Sequence, residues 1–430
     1  MSLKELKQSF LLTLWFIFLT FPVMVIKVNT VSGTVIWRWN NLLLIGIGTF
    51  VVSIVWRMAL QRSQRRRAAQ ADPLPSVVYE GDKEAARKSP DASGSTLKER
   101  WDGLKKRLED PTLRKIFIAV FTVFVLVFPL VSKLYQTSIM ISALIYVMLA
   151  LGLNIVIGLG NMLHLGYIAF YLVGAYTYGI LNRFFGIGFW AALPIGAGLS
   201  VIAGILLALP VLRLRGDYLA IVTLGFGEIM RIVMNNTTKF SGGPQGIGGI
   251  PRPGLFGLEM NLSQVTIYIY YIVVAAVVLT IFVVWRFENS RQGRALVAMG
   301  EDDIAAEAMG IDITKIKVIA FALGSLWAGI GGVIFAAKTT FINPASFTVW
   351  ESVIVLSCVV LGGMGSIPGS IVGAMVLILV PEYLRAFSDY RMLMFGVVLV
   401  IMMVFRPGGL IQKKRRAYTF DVAAEEEVTS

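Results

Sequence analysis

The sequence has almost none of the residues on which metal centres and disulfides depend. Its 430 residues include one cysteine, Cys358, and one histidine, His164. A single cysteine excludes an intramolecular disulfide and a multi-cysteine metal site. Cys358 lies inside an apolar run and is expected in the core, while His164 is expected to make a structural hydrogen bond to a neighbouring helix.

Signature motifs of several enzyme classes are also missing. The sequence contains no GxxxxGK[ST] loop, so it has no nucleotide site of that type. It contains no HExxH zinc motif and no GxSxG nucleophile turn. The sequence therefore predicts a chain with no catalytic residues, no metal site and no cofactor.

Charged residues make up only 15% of the chain, against 56% hydrophobic residues, and the mean hydropathy is +0.74. This composition predicts an all-α, polytopic membrane helix bundle. Since a span needs roughly 20 apolar residues, we expect about ten to twelve helices. Glycine and proline around 362–369 predict that some are broken or re-entrant. The apolar runs lie near 10–28, 39–57, 115–131, 138–157, 162–181, 189–211, 217–234, 264–285, 317–337, 350–361, 370–386 and 391–405.

The net charge of +13 comes from basic residues that cluster beside the apolar runs. Such clusters mark the cytoplasmic side of a membrane protein, so they indicate orientation and not a nucleic-acid partner. We therefore place 61–114, the loop 286–316, the tail 411–430 and both termini in the cytoplasm.

Four regions follow from this pattern. Residues 1–60 are expected to form two transmembrane helices, 10–27 and 39–57, and 61–114 a polar linker with a membrane-surface helix at 97–108. Residues 115–410 are expected to form the main helix bundle, which contains the loop 286–316. Residues 411–430 form a tail.

The segment 293–310, GRALVAMGEDDIAAEAMG, is a polar, alanine-rich helix between two apolar runs. Asp302 or Asp303 can cap its start, and Gly310 suits the left-handed position after its end. Three alanines, Ala305, Ala306 and Ala308, keep one side low, so another protein could approach the backbone closely. A docking helix and a solvated loop helix are equally open at this point.

Glu228 is the leading ionisable residue inside an apolar run. An unpaired charge there usually marks a transport pathway, but Arg231 lies three residues away and could form a local ion pair. Both interpretations remain open. Glu351 and Glu382 lie towards the outer ends of their runs, where their side chains are expected to reach water. The glycine- and proline-rich stretch SGGPQGIGGIPRPG at 241–254 predicts turns on the outer face.

Five ordered stretches carry a family resemblance: RLRGDYLAIVTLGFGEIMR at 213–231, SGGPQGI at 241–247, the cassette at 293–311, VVLGGMGSIPG at 359–369 and RPGGL at 406–410. With these, the chain resembles the permease subunits of branched-chain amino-acid ABC importers, of the LivM type. The N-terminal helix pair resembles the extension that distinguishes this type from its shorter LivH-like partner.

The resemblance implies an ABC importer permease fold in a bacterial inner membrane. It implies that the chain forms half of an alternating-access pathway for leucine, isoleucine and valine, together with a homologous permease, two cytosolic ATPases and a periplasmic binding protein. A permease for urea or short amides is the nearest alternative. An ion-coupled secondary transporter is a weaker one, since it would not need a docking helix.

The resemblance also implies roles for particular residues. Coupling to the ATPases falls on Glu301, Asp302, Ala305, Ala306 and Gly310. Two positions depart from the family pattern, because Gly300 replaces a frequent basic residue and Gln245 replaces a frequent asparagine. The candidates for lining the translocation pathway are Gly166, Gly174, Gly225, Gly227 and Glu228.

Overall fold

A computed structural model shows the chain as two compact units, Met1–Leu104 and Lys105–Ser430. The predicted spans near 39–57 and 391–405, the linker and the tail lie wholly or largely outside the described residues. The structure describes residues 26–29, 34–37, 125–212, 214, 216–254, 261–383, 396, 400 and 408–411.

The first unit contains a β-hairpin. Strand β1 (Ile26–Asn29) pairs antiparallel with β2 (Thr34–Trp37), and Ile26 lies opposite Trp37. The prediction of a helix up to residue 27 is therefore wrong at its end. The β-branched residues Val28, Val35 and Ile36 explain the difference, because they favour extended backbone over helix.

The described part of the second unit is an all-α bundle with two very short strands. Five stretches are long and apolar enough to cross a membrane: Leu134–Leu159, Phe189–Val211, Leu262–Glu288, Ile313–Thr339 and Pro344–Gly362. The predicted fold class is thereby confirmed. In chain order the elements are α1 (Leu134–Asn154), α2 (Ile168–Phe185), α3 (Phe189–Val211), α4 (Asp217–Asn236), α5 (Thr238–Ser241), β3 (Ile247–Gly248), α6 (Leu262–Glu288), α7 (Arg291–Glu301), α8 (Asp303–Ala308), α9 (Ile313–Thr339), β4 (Phe341–Ile342), α10 (Val349–Gly362) and α11 (Ile367–Tyr383).

Helix α9 is the centre of the bundle and packs against α1, α2 and α3. Its backbone lies so close to that of α2 that a Cβ on Gly174 would be 2.1 Å from the Gly329 carbonyl oxygen. A hydrogen bond also joins the start of α2 to α9, since Tyr167 Oη donates to Gly324 O at 2.8 Å. Close backbone contact between glycines is the usual way in which membrane helices gain packing energy.

Helix α2 begins at Ile168, six residues later than the predicted run near 162–181. A π-helical segment, Ile155–Leu159, continues α1, and the chain then turns through Asn161, whose φ is +51°. A Cβ on Gly166 would lie 1.8 Å from the Thr223 carbonyl oxygen, so the irregular segment crosses α4 in direct contact. This crossing is a tertiary contact, which hydrophobic periodicity does not report.

Helix α9 runs from one end of the bundle to the other. Its first residues follow α8 at what we call the α7–α8 end, and its last residues lead into β4 at the β3–β4 end. Strand β3 pairs with β4, with Ile247 opposite Ile342. The predicted turns of 241–254 lie at this end and are confirmed by positive φ angles at Gly242, Gly243, Gly246 and Gly249.

Candidate functional site

Helix α7 is attached firmly to the bundle. It begins after Ser290, whose Oγ accepts a hydrogen bond from Gly293 N at 3.1 Å. Leu296 is fully buried and Met299 is nearly so. This spacing places one apolar face of α7 against the rest of the chain, as expected of an amphipathic helix.

The segment 293–310 forms two helices where the sequence predicts one. Asp302 has extended backbone angles, with φ −154° and ψ 111°, and separates α7 from α8. Its Oδ1 accepts hydrogen bonds from Ile304 N at 2.9 Å and Ala305 N at 3.0 Å. These two hydrogen bonds confirm the prediction that Asp302 is an N-cap. Its extended backbone angles also end α7 at this residue.

Gly310 ends α8 as predicted, with a φ of +84°. Gly310 N donates to Glu307 O at 2.9 Å, and Ile311 N donates to Ala306 O at 3.1 Å. This pair of hydrogen bonds is a Schellman motif, which satisfies the last carbonyl groups of the helix. Helix α8 is therefore a short unit with defined hydrogen bonds at both ends.

The outward face of α8 is small and apolar. Ala305 and Ala308 are exposed, whereas Ala306 is only 5% exposed and faces its own chain. The prediction that all three alanines share the open side is therefore wrong for Ala306. Two larger side chains join that side, since Ile304 is 65% and Met309 83% exposed. Their apolar character within a polar segment is the sequence signal that would have identified them.

The other predicted coupling residues also lie at this surface. Glu301, Asp302 and Gly310 are exposed around the outward face of α8. We call Glu301, Ile304, Ala305, Ala308 and Met309 the α8 surface.

Gly300 connects this region to the transmembrane helices. A Cβ there would lie 2.9 Å from the carbonyl oxygen of Leu159, and Asn161 Nδ2 donates to Gly300 O at 3.3 Å. The backbone of α7 therefore touches the end of the π-helical segment. Gly300 serves close contact here, which explains why no larger side chain occupies this position.

Three of the four predicted pathway glycines are packing positions. Gly166 and Gly227 meet where α4 crosses the irregular segment before α2, since a Cβ on Gly227 would lie 3.2 Å from the Gly166 Cα. Gly174 lies in the α2–α9 crossing described above. Gly225 differs, because a Cβ added there would have no atom within 4 Å.

Glu228 forms the local ion pair that the sequence allowed. Its Oε2 lies 2.6 Å from Arg231 Nη2, and both side chains are about one-third exposed, at 30% and 31%. They lie on α4 beside a stripe in which Ile221 and Ile229 are exposed and Gly225 is half-buried. The pair leaves room for a ligand or a partner to approach, since neither charge is enclosed.

His164 does not make the predicted hydrogen bond. It is 1% exposed, and neither ring nitrogen has a hydrogen-bond partner among the described residues. Three aromatic rings surround it instead, those of Tyr167, Phe170 and Phe321, at centroid distances of 5.9, 5.6 and 5.3 Å. Cys358 is buried in the core, as predicted.

No group of three or more histidine, cysteine, aspartate or glutamate side chains in the described part of the chain could hold a metal ion. Two predicted features remain candidates for a functional site: the exposed, capped surface at the α7–α8 end and the half-exposed ion pair on α4.

Comparison with known proteins assigns this chain to a family. The family model of the branched-chain amino acid transport system permease component matches residues 135–405. The chain belongs to this family. No solved structure matches the chain.

Curated relatives agree with the assignment. The high-affinity branched-chain amino acid transport permease LivM of Salmonella typhimurium is 39% identical over 88% of this chain and 86% of its own. LivM of Escherichia coli is 39% identical over 90% of this chain and 88% of its own. LivH of Escherichia coli is 25% identical over 62% of this chain and 91% of its own.

Proposed function

We propose that this chain is the permease subunit of an ATP-driven importer of branched-chain amino acids and forms half of its translocation pathway by alternating access. The length over which it matches the two LivM proteins supports this substrate class. Its similarity to LivH supports a second, homologous permease as its partner in the membrane.

We infer that ATP hydrolysis occurs in separate subunits, because the α8 surface is suited to docking another protein. A short helix capped at both ends can move as a rigid unit, and its exposed alanines allow a partner to pack against its backbone. Met309 and Ile304 would supply the apolar anchors of that contact. We place this end of the bundle in the cytoplasm, because Arg286 lies just before α7 and Arg291 and Arg294 lie in its first turn.

Movement at the α8 surface would reach the membrane through Gly300. The backbone contact between α7 and the π-helical segment is tight, so a displacement of α7 must move the end of α1 with it. π-Helical turns are frequent at functional sites. The chain itself has no catalytic role in this scheme, and a periplasmic binding protein would deliver the amino acid at the opposite end.

Purification of the full-length chain from native membranes tests the proposal. Mass spectrometry of the copurifying subunits is expected to find two ATPases and a second permease. Uptake of radiolabelled leucine, isoleucine and valine by cells that express the complex is expected to require ATP. Uptake of urea in their place, or leucine uptake that follows a proton gradient without ATPases, would contradict it.

A further inference from the structure

A cavity of about 520 Å³ lies near the β3–β4 end of the bundle, between α1, α10 and α11. It is separate from the α8 surface and from the Glu228–Arg231 pair, neither of which contributes a lining residue. Its volume falls within the range of cavities that bind small organic ligands.

Two carboxylates line the cavity, and each accepts a hydrogen bond from a tyrosine. Tyr146 Oη donates to Glu351 Oε2, and Tyr135 Oη donates to Glu382 Oε1. The expectation that these acids simply reach water is therefore incomplete, since both are half-buried at the cavity wall. A carboxylate accepts about four hydrogen bonds, so the Glu351 group retains capacity for a cationic ligand after Tyr146 has used one.

A positive charge lies beside the same cavity. Lys338 Nζ donates to the carbonyl oxygen of Ser138 at 2.9 Å and to Ser142 Oγ, and both serines line the cavity. Lys338 is thus held at the α1 side, while Glu351 comes from α10. The Glu351 carboxylate is therefore part of the lining, whereas the Lys338 ammonium is bonded to two lining residues and is not itself part of the lining.

Apart from Trp350, the rest of the lining is aliphatic. Ile354 lies three residues after Glu351 on α10 and therefore on the same face of that helix. Leu377 and Ile378 of α11 and Ile139 of α1 complete this part of the wall. An aliphatic surface next to a carboxylate complements a ligand in which an ammonium group is joined to an apolar chain.

The geometry points to a binding site for a ligand that carries both a primary ammonium group and an aliphatic chain. The ammonium pairs with Glu351, and the chain lies against Ile354, Leu377 and Ile378. Two sources share this chemistry: a free aliphatic amino acid, and an aminophospholipid whose headgroup enters from the membrane. The amino-acid source rests on the proposed function, and the lipid source is independent of it.

The first arm of the test measures equilibrium binding of radiolabelled leucine to the full-length chain, purified with its membrane and ATPase subunits. The competitors are 3-methylbutylamine, which keeps the ammonium and the branched chain, and 4-methylpentanoate, which keeps the chain with a carboxylate instead. In the amino-acid case the amine competes and the acid does not.

The second arm uses native mass spectrometry of the delipidated complex after addition of phosphatidylethanolamine or phosphatidylglycerol with identical acyl chains. In the lipid case only phosphatidylethanolamine is retained. Whichever ligand binds, Glu351→Gln is expected to weaken it about tenfold, the usual scale of a lost charge-assisted hydrogen bond. Glu288→Gln, the same change at the end of α6, is expected to leave binding unchanged.

A second variant protects the test against a folding defect. Ile378→Trp fills the cavity without altering its charges and is also expected to reduce binding, while the melting temperature of each variant reports its fold. The site is refuted if neither leucine nor phosphatidylethanolamine binds, if folded Glu351→Gln binds like the wild type, or if 4-methylpentanoate competes as well as the amine. Leucine uptake without leucine or lipid binding would refute the site alone, and amine-selective binding without any uptake would refute the proposed import alone.

Discussion

The crossing of α2 with α9 and the surface of α8 are both rich in small residues, but they use them in opposite ways. At the crossing, Gly174 and Gly329 bring two backbones into direct contact. On α8, Ala305 and Ala308 leave the backbone accessible from outside the chain. Small residues therefore indicate a close approach between backbones, and only the structure shows whether this chain or another protein makes it.

The largest effect is expected when a methyl group is added at the crossing. Gly174→Ala places its Cβ 2.1 Å from a backbone oxygen that cannot move aside alone, so α2 and α9 must separate. We expect a loss of about 3 kcal/mol in the free energy of unfolding, the upper range for overpacked cores. The measurement is the yield of folded protein in detergent.

Gly198→Ala is the matched control for this change. Gly198 lies on the exposed face of α3, and a Cβ there would have no atom within 4 Å. Alanine is the better helix former by about 1 kcal/mol, so this variant is expected to be at least as stable as the wild type. Equal yields of the two variants would show that the α2–α9 contact does not limit stability.

The next effect separates two adjacent alanines of α8. Ala305→Arg adds a long, charged side chain to the exposed face, so it is expected to block ATPase docking and abolish leucine uptake while membrane insertion remains normal. Ala306→Arg forces the same side chain into the chain's own core, so it is expected to lower the amount of folded protein as well. Uptake, membrane protein level and copurifying ATPase are measured for both.

Ala305→Ser serves as the conservative control and should transport normally, because serine adds little volume. Wild-type uptake and ATPase association in Ala305→Arg would remove the coupling role from the α8 surface. Uncoupling by Ala306→Arg with full protein levels would contradict the distinction between the two faces.

A smaller effect is expected from the N-cap of α8. Asp302→Ala removes the acceptor for two backbone amides, which costs about 1 kcal/mol. The amides of α8 should then exchange with solvent about fivefold faster, and coupling should weaken without being lost. Hydrogen exchange followed by mass spectrometry measures this, and Asp302→Asn, which also caps well, should exchange like the wild type.

The ends of α8 could be predicted from the sequence because capping is local. Asp302 and Gly310 interact with backbone groups within three or four residues, so their capping roles can be predicted from the sequence alone. The division into α7 and α8 could not be predicted, since either of two adjacent aspartates can serve as the cap.

Contacts between distant segments could not be read in this way. The irregular start before α2 depends on Gly166 touching α4, and the aromatic enclosure of His164 depends on Phe321 of α9. The cavity is a further case, because Glu351 and Tyr146 are 205 residues apart in the chain. Periodicity predicts which residues face a core, but it does not say which other helix supplies the partner.

The smallest effect on stability is expected at Glu228. This residue lies on α4, outside both the α2–α9 crossing and the α8 surface, so it tests a third region of the molecule. Glu228→Gln breaks a half-exposed ion pair with Arg231, which costs about 0.5 kcal/mol, so assembly should be unaffected. Leucine uptake kinetics should nevertheless change, because the charge lies beside the exposed side chains of Ile221 and Ile229. Arg231→Gln removes the same ion pair but keeps the carboxylate. Altered uptake in Glu228→Gln alone would therefore assign the effect to the acid. Wild-type kinetics in Glu228→Gln would leave the ion pair a purely structural role.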